Sequence, residues 1–233
     1  MKVLQISAEC YPAAKSGGLG DVVGSLPKYL NQAGVETNVI IPKYGLNWIK
    51  NTQWKVVYEG VIKIHQQYTP FSIELAENTN LGFPLYVANI PERFNRSGIY
   101  ADPGGHYYQD GMERWLSFQL AVLIWLINDE SAVPDILHCH DHHTGLLPFF
   151  IKNVAAYQRL SKIPTIYTIH NGQYHGAFGW DKLYLLPNFG EEHRGILDWS
   201  GLINPMATGI KTAWRVTTVS EGYMEELLSL IHI

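Results

Sequence analysis

The sequence predicts an α/β domain in which a parallel sheet is covered by helices on both faces and is interrupted by an antiparallel β insertion. Three features carry that reading. Short apolar runs alternate with helix-length stretches, as they do when parallel strands are joined by crossover helices. A glycine-rich turn stands where the first run hands over to the first helix. In the middle of the chain, strand-like runs follow one another with no helix-length segment between them.

In chain order, residues 3–7 predict a buried first strand, and residues 22–30, with Gly34 beyond them as a stop, predict the first helix. Residues 37–42 predict a second parallel strand. Residues 54–59, 61–65, 71–75 and 85–88 are β-type runs broken by Gly60, Pro70 and Gly82, and form the expected antiparallel excursion. A helix over 111–128 carries apolar side chains on most of its circumference, so it is expected to be buried on nearly all sides. A strand at 136–138, a helix at 144–160, and strands at 165–169 and 215–219 complete the series. Asp141, His170 and Ser220 follow the last three strands and are expected at the carboxyl edge of the sheet, where open α/β sheets bind ligands.

At 233 residues the chain is long enough to bury one large core. Charged residues make up 16%, aromatics 12%, and the formal net charge is −4, so neither a basic surface for nucleic acid nor a disordered tail is expected. Cys10 and Cys139 provide no disulfide framework, and residues 1–10 lack the apolar stretch of a secretory signal. The densest apolar run, residues 120–127, is far shorter than the ~20 residues of a membrane span. A soluble, cytoplasmic protein without a membrane partner is the expectation.

The turn reads Lys15-Ser16-Gly17-Gly18-Leu19-Gly20-Asp21-Val22. Its glycines let backbone approach a ligand where a Cβ would intrude, and the helix N-terminus offers unpaired N–H groups, which suits a phosphate. A tight connection without a ligand is the competing reading. The order fits neither G-x-G-x-x-G nor the P-loop, because the lysine precedes the glycines; that omission also argues against a dinucleotide oxidoreductase.

Two further clusters stand out. His138-Cys139-His140-Asp141-His142-His143 packs four histidines, a cysteine and a carboxylate into six residues. A metal site is one reading, but on a strand His138 and His140 face one way and Cys139 the other, and no second ligand motif completes a set. Packed histidines, or histidines framing a working Asp141, are the alternatives. In Thr168-Ile169-His170-Asn171-Gly172, a histidine ends a strand ahead of Asn171 and Gly172, which permit an unusual turn that presents His170 into a cleft. A satisfied structural histidine is the blander reading.

The segment Lys15-x-Gly17-Gly18-Leu19-Gly20-Asp21-Val22-x-Gly24-x-Leu26-Pro27-x-x-Leu30 resembles the N-terminal signature of bacterial glycogen synthases and plant starch synthases. His140-Asp141-x-His143-Thr144-Gly145-Leu146 is similar to the family's His-Asp-Trp-His segment, with His142 in place of the Trp, and 168–178 is similar to its Thr-Ile/Val-His-Asn run, with His175 in place of Gln. Phe94-Asn95-Arg96-Ser97-Gly98-Ile99-Tyr100 with Gly105 and Tyr108-x-Asp110 resembles a loop near the donor, and 204–223 resembles the end of the family's first domain.

That resemblance implies the first Rossmann-like half of a GT-B architecture: a catalytic domain over 1–227, a non-native tail at 228–233 and an absent C-terminal domain. The tail is expected because the chain stops inside a helix without a cap and because its last six residues match one frame of a common sequencing adaptor. The implied reaction is transfer of glucose from ADP-glucose, or UDP-glucose, to the end of an α-1,4-glucan with retention, without cofactor or metal. Lys15, Asp141 and His170 are the implied catalytic residues, and Gly17, Gly18, Gly20, Asp21, Tyr100 and Asn171 the implied substrate contacts. A non-catalytic domain that grips α-glucan or a nucleotide sugar is the alternative.

Overall fold

The computed structural model describes residues 1–231. Its strands are β1 (Lys2–Ile6), β2 (Glu36–Pro42), β3 (Gln53–Ile64), β4 (Gln67–Glu77), β5 (Leu85–Asn89), β6 (Ile136–His140), β7 (Thr165–Ile169), β8 (Asp198–Trp199), β9 (Leu202–Ile203) and β10 (Arg215–Thr218). The helices are α1 (Gly18–Gln32), α2 (Asn47–Asn51), α3 (Pro91–Phe94), α4 (Gly111–Asn128), α5 (Leu147–Asn153), α6 (Arg194–Leu197), α7 (Pro205–Thr212) and α8 (Glu221–Ile231).

Eight strands form one sheet in the order β10-β7-β6-β1-β2-β5-β4-β3, and β8 and β9 pair separately. From β10 to β5 every pairing is parallel; β4 and β3 add an antiparallel edge. Every residue from Thr37 to Pro42 in β2 is buried, so both faces of the sheet are covered there. As expected, α4 is buried over most of its circumference, with Phe118 and Leu123 fully enclosed. Among the described residues, no helix is long and apolar enough to cross a membrane.

The structure refines the sequence reading of several elements. The β-type runs on either side of Gly60 form one strand, β3, because the missing Cβ leaves room for the ring of Phe71 across the pair. β4 likewise runs through Pro70, which β5 does not reach, since β5 pairs only with Ser72–Leu75 and proline is tolerated where a strand lacks a neighbour. The last run of the antiparallel excursion, β5, pairs antiparallel with β4 as expected and on its other side joins β2 in parallel. The helix expected over 144–160 is broken: α5 begins at Leu147 with Pro148 in its first turn and ends at Asn153, where Val154 turns extended.

α1 is longer than expected, starting at Gly18 with Gly17 as its N-cap, and Gly34 closes it at φ +84° as anticipated. Ser220 lies beyond the carboxyl end of β10 as expected, and there it caps α8 by accepting the Tyr223 amide. The tail expected at 228–233 begins within α8, and its His232 and Ile233 lie outside the described residues.

Chain order places β2 and β5 on one side of β1, and β6, β7 and β10 on the other. The switch point therefore lies between β1 and β6, where connections diverge and leave a crevice at the carboxyl ends. The turn after β6 is wedged against α7: a Cβ on Gly145 would lie 2.2 Å from the carbonyl oxygen of Pro205. We expect Gly145→Ala to cost about 1–3 kcal/mol by overpacking. Urea denaturation measures this, and a loss under about 0.5 kcal/mol would show the wedge to be soft.

Candidate functional site

At the switch point the carboxyl ends of β1, β6 and β7 open into a cavity of about 1110 Å³. Lys15, Gly17, Gly18, Tyr100, Asp141, His170 and Asn171 all line it, so the structure gathers seven of the nine predicted residues around one hollow. Gly20 and Asp21 do not line it. A Cβ on Gly20 would come within 3.0 Å of the Glu9 carboxylate, so this glycine makes room for Glu9 rather than for a ligand. Asp21 instead pairs with Lys15 at 2.8 Å, which raises the lysine pKa.

The amides of the glycine elbow are shared out differently from the sequence reading. Ser16 and Gly17 donate their N–H groups to Glu9 Oε2 at 2.6 and 3.0 Å. The amides of Gly18 and Leu19, in the first turn of α1, find no acceptor among the described residues. These are the donors available to an anion. Around Gly17 and Gly18 no atom lies within 4 Å of a built Cβ, and Gly17 has an ordinary extended backbone, so neither packing nor φ demands glycine there. What their absence of side chain preserves is open space at the cavity wall.

Asp141 stands at φ +55°, a strained setting for a non-glycine residue. The turn carries its Oδ1 across to the end of β7, where it accepts the amides of His170 at 2.7 Å and Asn171 at 3.3 Å. The unusual backbone anticipated at Asn171 and Gly172 therefore lies at Asp141 instead. Burial raises the Asp141 pKa to about 6, partly opposed by the two amide bonds. Burial holds His138, His142 and His170 down near 4 and pushes His140 and His143 well below the ordinary histidine value.

These five histidines are thus neutral, and three of them, His142, His143 and His170, line the cavity. His138 bonds Thr168 Oγ1 at 2.7 Å, and His143 stacks on Tyr100 with centroids 5.1 Å apart. As the strand periodicity predicts, His138 and His140 share a face, their rings 4.1 Å apart. Among the described residues, no group of three or more histidine, cysteine, aspartate or glutamate side chains is arranged to hold a metal ion.

A family model described as the starch synthase catalytic domain matches residues 2–232. The chain belongs to the starch synthase catalytic domain family. It is 47% identical over 227 residues to a glycogen synthase of Flavobacterium johnsoniae, covering 97% of this chain and 46% of that protein. A glycogen synthase of Halalkalibacterium halodurans is 36% identical over 231 residues, covering 97% of this chain and 45% of that protein. A solved structure of the catalytic domain of starch synthase IV from Arabidopsis thaliana, bound to ADP and acarbose, superposes with a TM-score of 0.80 at 26% identity, over 97% of this chain and 46% of that one. This member of the starch synthase catalytic domain family spans about half the length of those relatives.

Two residues that sequence reasoning passed over, Glu9 and Gln5, and one that it quoted without a partner, His140, complete the site. Glu9 is buried, and its second oxygen accepts the Tyr100 hydroxyl at 2.5 Å. A lone glutamate in an otherwise apolar first segment was its only sequence signal. His140 and Gln5 lie behind His170 in a hydrogen-bonded row. Gln5 sits in the middle of the first apolar strand, where a polar side chain needs a buried partner.

Because the folded pKa of Asp141 lies above its ordinary 3.8, its contribution to stability is present below about pH 4 and lost as pH rises through 6. The histidines near 4 act oppositely: their contribution is complete above their ordinary 6.5 and is lost as pH falls through 4. Asp141→Asn keeps the acceptor and removes the titration. We expect its stability, relative to the parent chain, to be roughly 2 kcal/mol more favourable at pH 7 than at pH 4. Denaturation curves at the two pH values decide it, and an equal difference at both would mean the carboxyl is not desolvated.

Proposed function

We propose that this chain forms the N-terminal catalytic domain, over residues 1–227, of a cytoplasmic glycogen or starch synthase that moves glucose from ADP-glucose to the end of an α-1,4-glucan with retained configuration. The observation that carries the reading is the convergence of Lys15, the glycine elbow, Asp141 and His170 on one cavity at the switch point. The names of the relatives and the ADP and acarbose in the Arabidopsis structure support the donor and acceptor classes.

Departure of a nucleoside diphosphate leaves negative charge on the leaving group and an oxocarbenium-like sugar behind it. The free amides of Gly18 and Leu19 are fixed before reaction, so they receive a phosphate oxygen without reorganising. Lys15 adds a mobile positive charge once it leaves Asp21 for the diphosphate. His170 and Asp141 face the sugar, Asp141 through the oxygen not occupied by the β7 amides, and Asn171 extends the same wall. Glu9, the other carboxylate in the cavity, has both oxygens engaged. It is no free nucleophile, so the reading does not invoke a covalent glucosyl enzyme.

Since the relatives are about twice as long, this reading assigns the remaining transition-state contacts to a C-terminal domain. On its own, the chain is expected to extend glycogen weakly or not at all, because catalysis depends on contacts made together in the transition state. Joined to the C-terminal half of its Flavobacterium johnsoniae relative, it is expected to consume ADP-glucose in the presence of glycogen. Equal transfer by the isolated chain would overturn the division of labour. Use of neither ADP-glucose nor UDP-glucose by the joined protein would count against the function itself.

Gly18→Ala separates ligand space from folding. The substitution is expected to leave stability within about 0.5 kcal/mol, since the Cβ meets no atom and alanine suits a helical turn. In the joined protein, ADP-glucose binding should weaken at least about tenfold as the methyl enters the phosphate approach. Unchanged affinity, read by calorimetry, would place the diphosphate elsewhere.

A further inference from the structure

Behind the cavity wall, a row of three polar side chains runs from β1 through β6 to the end of β7. Gln5 Oε1 lies 3.2 Å from His140 Nε2, and His140 Nδ1 lies 2.9 Å from His170 Nε2. Gln5 and His140 are completely buried, and Gln5 belongs to the central strand, so this side of the row is held by the most rigid part of the fold. Only His170 reaches the cavity.

The chemistry of the row has a direction. An amide oxygen only accepts, so His140 Nε2 carries the proton in its bond to Gln5. A neutral imidazole has a single N–H, so His140 Nδ1 is a lone pair and accepts from His170. His170 Nε2 therefore carries its proton, and its Nδ1 is left as a bare acceptor. Burial keeps both rings uncharged, His170 near 4 and His140 well below the ordinary value, so protonation does not scramble the sequence of donors and acceptors.

We propose that Gln5 and His140 are positioning residues that lock His170 in the Nε2–H tautomer, so that the wall of the cavity offers an acceptor nitrogen and selects a ligand hydroxyl that donates to it. The proposal deepens the function argued above: under that reading the ligand group is a hydroxyl of the donor glucose, and Nδ1 would refuse an analogue whose hydroxyl is replaced by a group that only accepts. Without the lock, a neutral histidine with an unbonded ring samples both tautomers and would discriminate poorly.

Nitrogen-15 spectra of histidine-labelled chain, without ligand, test the lock. They are expected to show His170 Nδ1 as unprotonated and Nε2 as protonated. Gln5→Leu removes the acceptor that starts the row, and the tautomer preference of His170 should fall by roughly tenfold. Gln5→Glu, which still accepts from His140, should restore it, and amide spectra check that each variant keeps the fold.

A protonated Nδ1 in the parent chain, the outcome if Gln5 presented its N–H instead, would overturn the proposal, as would a preference that Gln5→Leu leaves unchanged. Because the parent spectrum is decisive alone, a Gln5→Leu that fails to fold does not shelter the idea. Titrating ADP-glucose into the same sample keeps the two readings apart: an Nδ1 locked as an acceptor but unmoved by the sugar leaves the relay standing and counts against the donor assignment.

Discussion

The site depends first on the Glu9 carboxylate. It lies just beyond the carboxyl end of the central strand, and its two oxygens tie two other parts of the chain to that end. One oxygen takes the amides of Ser16 and Gly17, shaping the elbow into α1, and the other takes the hydroxyl of Tyr100 from the loop before α4. A buried carboxylate without such donors would be costly, whereas one receiving several charge-assisted bonds is a strong tether. Tyr100 in turn stacks on His143, and Trp115 of α4 meets the same ring edge-on at 4.4 Å. Elbow, loop and histidine wall thus share a single anchor. The loop is braced from the other side by Arg96, whose guanidinium grips Asp110 through two bonds of 2.7 Å.

Around that anchor the cavity is neutral where its sequence suggests charge. Five histidines between positions 138 and 170 are held uncharged by burial, and Asp141 is held close to neutrality at mildly acidic pH by the same cause. Such a wall offers directional hydrogen bonds, to sugar hydroxyls under the proposed function, without a strong field of its own. Positive character lies at the elbow, in the fixed amides of Gly18 and Leu19 and in the mobile Lys15, and Arg114 adds a further cation to the lining. Under the proposed function the wall and the elbow would serve the hexose and the phosphate respectively, and strain at Asp141 is tolerated because its carboxylate bridges two strand ends.

Much of this was legible in the chain, and the failures have physical causes. The parallel strands were readable because a sheet covered on both faces writes itself as unbroken apolar runs, and the elbow because three glycines stand between a strand-like run and a helix-like one. Gly60 and Pro70 misled because breakers act through context: one made room for a ring across the strand pair, and the other sat where its strand has only one neighbour. Gly20 resembled Gly17 and Gly18 in sequence, yet only coordinates reveal that a Cβ would strike Glu9 in one case and nothing in the others. Glu9 and Gln5 escaped notice, and His140 was noticed without its partners, because their roles lie in contacts 7 to 135 positions away along the chain.

The same geometry explains why the site reads as one wall of a larger one. Elbow, Asp141 and His170 are fixed by rigid strand ends, so their preorganisation asks nothing of a partner. The rim is different. Tyr107, Tyr174 and Val219 line the cavity yet are 71%, 54% and 50% exposed. Clustered exposed apolar side chains at a cavity mouth are surface that gains free energy when covered. Charge separation between a departing diphosphate and an oxocarbenium-like sugar is supported best where water is excluded, because fixed dipoles act more strongly there. A domain closing over these three side chains would dry the cavity while leaving the Glu9 anchor undisturbed. Under the proposed function, alignment of the sugar would belong to this chain, and exclusion of water to whatever covers its rim.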